Sequence, residues 1–486
     1  MTEGDDDPWG FLNARKKEVL GEEPAAAPES APSGVASDAA SDPPAKRERG
    51  VLRGEMGGPS LKRRGWPMAA ALAMLAFAGY LTEVVASSQM LALAGPSVLL
   101  IIFPLGGIGL IALALFQFRY VDHRARLPMI RAVALGYAVA FAVVVGLLSQ
   151  SFLPVLAVGL AWLLADQLTF LMPLLIWSLA SDEFNVAESR KIYPWIVTWT
   201  YGGQVLGLLL SAVSPWLLTR VDVPLTALLV LDPIICVVIA VWLPRVLKGS
   251  YAAKGSARPE SLREAIATAR DFIDGVPVWR HFLLASVLTF IAGATLYLLF
   301  LANAEAIIGS DAATLQALLG WAGLVWFLIC WAIQAWGAER LQNRVGIPGV
   351  LLILPISLAI GGVLLAVGSV TGSLAVLVVG ISFWLIPRWS IDENARRSAL
   401  ALVPDERRAR VSFVVDLLPV AIGLIVAGPL ALIGVLTGQY WILAVVCVVV
   451  ALVALRPARQ VLRDWDDSLL NWRLRRRKQN RGLDLG

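Results

Sequence analysis

WSLASDEFNVAESRKIYPWI, from Trp177 to Ile196, places Asp182, Glu183, Glu188, Arg190 and Lys191 between two long apolar runs. A charged side chain at the middle of a bilayer costs at least about 2.5–3.5 kcal/mol. So dense a knot of charge therefore belongs at a membrane surface, and the runs on either side read as membrane spans.

The same pattern extends over most of the chain. Of its 486 residues 58% are hydrophobic and 16% charged, whereas a soluble domain carries roughly 25% charged residues. Apolar stretches of about 20 residues recur, each long enough for a hydrocarbon core of roughly 30 Å. Backbone polar groups in lipid must be satisfied within the segment, which makes these stretches helices. The dyad alternation of a membrane barrel is missing. The spans read as 67–88, 96–118, 128–150, 153–180, 193–218, 224–245, 279–302, 312–336, 346–368, 372–388, 411–435 and 438–456. The expected fold is an all-α polytopic membrane protein of about twelve transmembrane helices. The longest internal polar segment, 246–278, divides them six and six. The expected organisation is a disordered tail (1–62), a six-helix bundle (63–245), a linker (246–278), a second six-helix bundle (279–456) and a basic amphipathic tail (457–486). The first tail is rich in Pro, Ala, Ser and charge and cannot bury enough apolar surface to fold. In the linker, Leu262, Ile266, Ala269 and Ile273 stand at helical spacing. In the last tail Leu462, Trp465, Leu469 and Trp472 do so ahead of an Arg run suited to an anionic leaflet.

Composition also excludes functions. Cys236, Cys330 and Cys447 fall inside apolar spans, and the only histidines are His123 and His281. No disulfide framework, metal site or histidine-based catalytic site follows, and no cofactor is implied. No phosphate-cradling Gly-rich loop appears. The loops are too short to house a transferase, so the chain is not read as an enzyme. The net charge of +5 reflects loops rather than nucleic-acid binding. Lys and Arg crowd the connections after spans 2, 4, 6, 8 and 10, while those after odd-numbered spans hold essentially only Arg220. The positive-inside rule puts both termini in the cytoplasm of a cell with this protein in its plasma (bacterial inner) membrane.

Six spans, a long connection and six more resemble the major facilitator superfamily, whose two halves flank a central site. YVDHRARLP after span 2 is similar to that family's Asp-Arg-x-Gly-Arg loop at Asp122 and Arg126, and departs at His123 and Ala125. LQNRVGIPG after span 8 matches it in part at Asn343, Arg344 and Gly346. The opening knot also has a counterpart after span 10, FWLIPRWSIDENARRSALALVPDERRARVSFVVD, from Phe383 to Asp416. Trp177-Ser178, Asp182-Glu183 and Arg190-Lys191 answer to Trp389-Ser390, Asp392-Glu393 and Arg396-Arg397. Here Arg388-Trp389-Ser390, Asp392, Pro404, Arg408, Arg410 and Asp416 resemble the signature of the nucleotide translocase (ATP/ADP antiporter-like) branch. The segments around Gln334 and around YGGQVLG, which contains Gln204, resemble it too. The resemblance covers spans 4–5 and 8–11. It implies alternating access, exchange of nucleotides by antiport, and a cytoplasmic gate built from Asp122, Arg126, Asp182, Glu183, Arg190, Lys191, Asp392, Arg396, Arg397 and Asp416.

Ionisable residues inside spans are functional candidates by default. Glu83, Asp166 with its neighbour Gln167, and Asp232 qualify, with Gln204 and Gln334 as polar partners. Arg388 is the best cationic candidate. A nucleotide calls for Arg or Lys in its cavity, but the first half has none at mid-membrane. The mostly acidic interior suits proton coupling, or a cationic or neutral solute, as well as it suits a nucleotide. The expected function is secondary active transport of a small solute by a monomer in the lipid bilayer, with nucleotides as one solute class. The second reading is a transporter-like scaffold or sensor that moves nothing. Small residues Gly202, Gly203 and Gly207 in span 5 are expected to admit a close helix neighbour.

Overall fold

The computed structural model describes residues 61–116, 125–150, 153–184, 186–247, 273, 275–400, 403, 411 and 413–483. Among them no strand occurs, and 12 helices are long and apolar enough to cross a membrane. In the first half these are α1 (Leu61–Ala94), α2 (Leu99–Phe116), α3 (Arg126–Ser149), α4 (Pro154–Glu183), α5 (Val186–Leu218) and α6 (Leu231–Val246). In the second they are α7 (Pro277–Ile308), α8 (Ala312–Trp336), α9 (Ile353–Thr371), α10 (Leu374–Pro387), α11 (Leu418–Thr437) and α12 (Trp441–Leu483).

Several boundaries differ from those read in the sequence. α1 is already helical at Leu61, ahead of the expected start near residue 67, and carries Lys62, Arg63 and Arg64 before the apolar run. The span expected to open at residue 346 opens at Ile353. Gly346 has φ 72°, a left-handed conformation that glycine tolerates. It breaks a separate short helix, Ala338–Val350, before α9 starts. α12 does not stop near residue 456 but runs on to Leu483. On that extension Trp465 is buried and Leu462 exposed. The 1–60 tail, Leu262, Ile266, Ala269 and the loop carrying Asp122 lie outside the described residues.

Small residues set the closest approaches between helices. A Cβ on Gly203 would stand 2.0 Å from the Ala73 carbonyl oxygen, and one on Gly207 would stand 2.6 Å from that of Phe77. α5 therefore lies directly on α1, as expected, although Gly202 meets nothing. Two further contacts join the halves. Gly320 of α8 backs onto the Ala212 main chain of α5, and Gly107 and Gly428 press α2 and α11 together.

Loops after odd-numbered spans define one end of the bundle, and those after even-numbered spans define the other, basic end. One continuous apolar core joins the halves toward the first end, through Leu91, Leu99, Phe103, Leu208, Leu299, Leu315, Leu319 and Ala431. Toward the basic end the buried residues form two separate clusters. One, around Met68, Ile130, Leu175 and Ile239, belongs wholly to the first half. The other, around Trp279, Phe282, Val350 and Val415, belongs to the second. The apolar core is thus continuous between the halves at one end and split by half at the other.

Candidate functional site

α1, the most interior helix of the first half, carries Tyr80, Thr82 and Glu83 near mid-length. Glu83 lies within electrostatic reach of Asp166 on α4, and both are within reach of Tyr297 on α7. Tyr80 also faces Glu83 and approaches Tyr201 of α5 and Cys330 of α8. Both carboxylates retain some accessible surface. Two carboxylates from one half thus lie within electrostatic reach of a tyrosine from the other. The surrounding rings bridge the halves: Tyr80 stands edge-on to Phe327 of α8 at 4.8 Å, and Phe103 of α2 lies 6.3 Å from Tyr297. Among the described residues no Lys or Arg lies at this depth.

The remaining sequence candidates are not in this group. Asp232 turns toward another face of α1, where its Oδ2 accepts a 2.6 Å hydrogen bond from the Thr82 hydroxyl. It is 1% exposed, and its second oxygen has no partner among the described residues. Gln167 packs its amide against Gly109 of α2, and among the described residues neither its Nε2 nor the buried Gln204 carbonyl oxygen has a hydrogen-bond partner. Gln334 lies nearer the basic end and spans the two halves. Tyr201 donates to its Oε1 at 2.6 Å, and its Nε2 donates to the Trp389 carbonyl at 2.7 Å.

The acidic pair that ends the fourth helix of each half is clamped by arginine. In the first half Arg126 holds Asp182 at 3.4 Å. Arg64 holds Glu183 at 3.0 Å and Glu188 at 2.9 Å, with its guanidinium over the Phe184 ring. In the second half Arg396 Nε donates to Asp392 at 2.6 Å and its Nη1 to Ser286 at 2.8 Å. Arg388 pairs with Glu393 at 2.6 Å and with Asp392 at 3.5 Å, and sits over the Phe290 ring. Asp416 is within electrostatic reach of Arg388. Arg388, Asp392 and Arg396 are 8%, 2% and 4% exposed, so they form a buried charge network rather than surface pairs. Arg388–Asp392 and Phe413–Leu417, which carries Asp416, are both π-helical turns. Such widened turns recur at functional sites. Lys191 is exposed. Asp122 and the side chains of Arg190 and Arg397 lie outside the described residues.

The expected gate thus resolves into two clamps whose ion pairs close within a half. The expected substrate group divides into a central carboxylate pair, a sequestered Asp232, a basic-end cation whose charge is already balanced, and a bridging glutamine. Reading by sequence missed Arg64, which stood just ahead of the first expected span. It also missed Tyr80, Tyr201 and Tyr297. Their signal was available, since a tyrosine buried in a span needs a partner for its hydroxyl.

No family model matches the chain, and no curated protein matches it. Solved structures do. A peptide transporter POT in complex with sulfate superposes with a TM-score of 0.60 at 14% identity, covering 85% of this chain and 96% of that one. The nucleoside transporter NupG does so at 0.57 and 13%, covering 81% and 99%. A bacterial homologue of the iron transporter ferroportin in its inward-facing state gives 0.57 and 16%, covering 83% and 99%. The likeness runs along nearly the whole of each neighbour while identity is low, so it concerns architecture. The chain has the major facilitator-type transporter fold: all-α, with twelve spanning helices in two six-helix halves.

Proposed function

We propose that this protein is a secondary active transporter that works by alternating access. The feature that carries the reading is the placing of two carboxylates, Glu83 and Asp166, inside the spans of one half and within electrostatic reach of Tyr297 of the other, with Tyr80 edge-on to Phe327 across the halves. Carboxylates are expensive at that depth, and a place between the halves is where this fold binds its solute. The core tied at one end and divided at the other corresponds to one of the two states that such a cycle requires. By the positive-inside rule the basic end and both termini face the cytoplasm, so in this state the continuous apolar core lies on the far side and the halves cross on the cytoplasmic side through the Tyr201–Gln334 hydrogen bond. The arginine clamps make the basic end of each half a preassembled block, and Tyr201–Gln334–Trp389 is the line along which the blocks meet.

The proposed cargo is a neutral or cationic small solute with an aromatic or apolar body, and the proposed driving ion is the proton. Tyrosine faces and two carboxylates recognise a cation through ring quadrupole and charge together. A carboxylate pair in a water-poor setting also takes up and releases a proton as access alternates. Nucleotides, implied by the family resemblance, fit less well. Their phosphates need free cations, and the charge of Arg388 is balanced by Glu393 and Asp392. A nucleoside, neutral and flat, meets the same site without that objection.

The test is a thermal-stability screen of the purified protein against nucleosides, nucleotides, amines and peptides, followed by counterflow of each stabilising solute in proteoliposomes. Counterflow of a neutral or cationic solute supports the proposal. Folded protein that exchanges only nucleotides refutes the cargo, and folded protein that exchanges nothing it binds favours a scaffold or sensor.

A further inference from the structure

Asp232 is a buried carboxyl group that the proposed transport site leaves unused. It lies inside the span formed by residues 225–246, in the first turn of α6, and is 1% exposed. Its hydrogen bond is with the Thr82 hydroxyl of α1, and its Oδ1 is buried without a partner among the described residues. No ion pair reaches it there. Asp392, just as deeply buried, shows the usual alternative, because it is held between Arg388 and Arg396.

The groups facing Asp232 bring no charge to balance it. Thr82 of α1 is itself fully buried. On α6, Cys236 stands one turn on and within electrostatic reach, and Tyr137 of α3 is within reach of Cys236. Leu225–Val230, the 3-10 segment that leads into α6, holds no titratable residue. An ionised carboxyl taken out of water needs a cation or several donors, and this one has a single hydroxyl. A carboxylic acid needs less. Its O–H donates to the Thr82 oxygen, and the Thr82 hydroxyl, which can donate as well as accept, turns to a carbonyl of its own helix, as those of Ser211 and Thr289 do. A metal ion would be the other way to balance the charge. Hard cations gather at least about six oxygens, whereas the side chains here offer one carboxyl and one hydroxyl. Among the described residues no group of three or more His, Cys, Asp or Glu could hold a metal.

We propose that Asp232 is a proton-binding site separate from the central pair, a resident carboxylic acid that hydrogen-bonds α6 to α1 and keeps its proton at neutral pH. Thr82 directly precedes Glu83, so the bond also fixes the turn of α1 from which Glu83 projects. The site does not depend on the transport reading.

The test is infrared absorption of the full-length protein in dodecyl maltoside, a detergent without a carbonyl group. At neutral pH exposed acids are ionised, so the C=O stretch of protonated carboxyl groups reports the buried ones. E83Q/D166N removes the central pair. That variant, shown to be folded by its thermal unfolding, is expected to keep a protonated-carboxyl band, and E83Q/D166N/D232N to lose one carboxyl's intensity from it. D232N alone should lose the same intensity relative to the parent protein, which keeps the test decisive where the double variant does not fold. A band that D232N leaves at full intensity in both backgrounds, or no such band in folded E83Q/D166N, overturns the proposal. Stabilisation of the parent by sodium chloride over potassium chloride that D232N abolishes also overturns it, because it would mark a metal-ion site.

Discussion

Gly320→Leu tests what holds the tied end together. A Cβ at residue 320 would lie 2.6 Å from the Ala212 amide nitrogen and 2.7 Å from its Cα. Ordinary carbon contacts are about 3.5–4.0 Å, so α8 must retreat from α5 by roughly 1 Å. One turn away, the fully buried Gln316 amide donates to the Ser211 carbonyl at 3.1 Å and to the Ser214 hydroxyl at 2.8 Å, and a shift of that size breaks both bonds. Each is worth about 1 kcal/mol and the overpacking about 1–3 kcal/mol, so the tied state loses about 3–5 kcal/mol. Interconverting states differ by a few kcal/mol, and each 1.4 kcal/mol is tenfold. The population ratio should therefore move by about a hundred- to several-thousand-fold toward the state open at this end. Spin labels at Val221 and Ser310, exposed positions flanking α5 and α8, read this out by pulsed dipolar spectroscopy. A short, single distance is expected in the parent protein and a longer, dominant one in Gly320→Leu. A folded variant with an unchanged distance distribution would refute the packing argument.

Other residues give equally definite expectations. Asp392→Asn leaves Arg396 and Arg388 buried with half their countercharge. Such a break costs about 3–5 kcal/mol, measurable by unfolding in mixed micelles, whereas Asp392→Leu with Arg396→Leu should lose less than either single change. Tyr201→Phe removes the hydroxyl that joins the halves at Gln334. It should leave stability within about 1 kcal/mol while widening the distance distribution between labels at the basic end. Asp311 caps α8 by accepting from the Thr314 hydroxyl and the Ala313 N–H, and Asp311→Ala should cost about 1 kcal/mol. The Thr314 bond holds the Asp311 carboxyl below its usual range. The contribution of the cap is therefore present above the unfolded value near pH 3.9 and is lost as pH falls through the lowered folded value. The Asp311→Ala penalty should vanish in acid.

Membrane spans are legible in sequence because their signal is local. α8 matches its expected bounds, and the others are off mainly where charged flanks or a left-handed Gly346 move a terminus. The repeated Trp-Ser and acidic pair pointed to one gate region in each half, and both regions prove to be arginine clamps. The partners were not legible. Arg64 reaches Glu183 across 119 residues, and Ser286 meets Arg396 across 110; no periodicity encodes such contacts. Asp166 and Asp232 look alike as lone carboxylates in spans. Only packing separates the one facing Glu83 and two halves of the protein from the one bonded to Thr82 on a closed face. Arg388 read as a free cation because the turn that brings Glu393 back onto it is π-helical, a departure from the 3.6-residue period on which such reading rests.

The most direct test of the account is the uptake rate of the stabilising solute into proteoliposomes under an imposed pH gradient, compared between the parent protein and Asp166→Asn. The account predicts gradient-dependent accumulation by the parent protein, and loss of that accumulation in a variant whose thermal unfolding matches that of the parent. Uptake by Asp166→Asn at the parent rate, with the same dependence on the gradient, would contradict the central role given to the carboxylate pair.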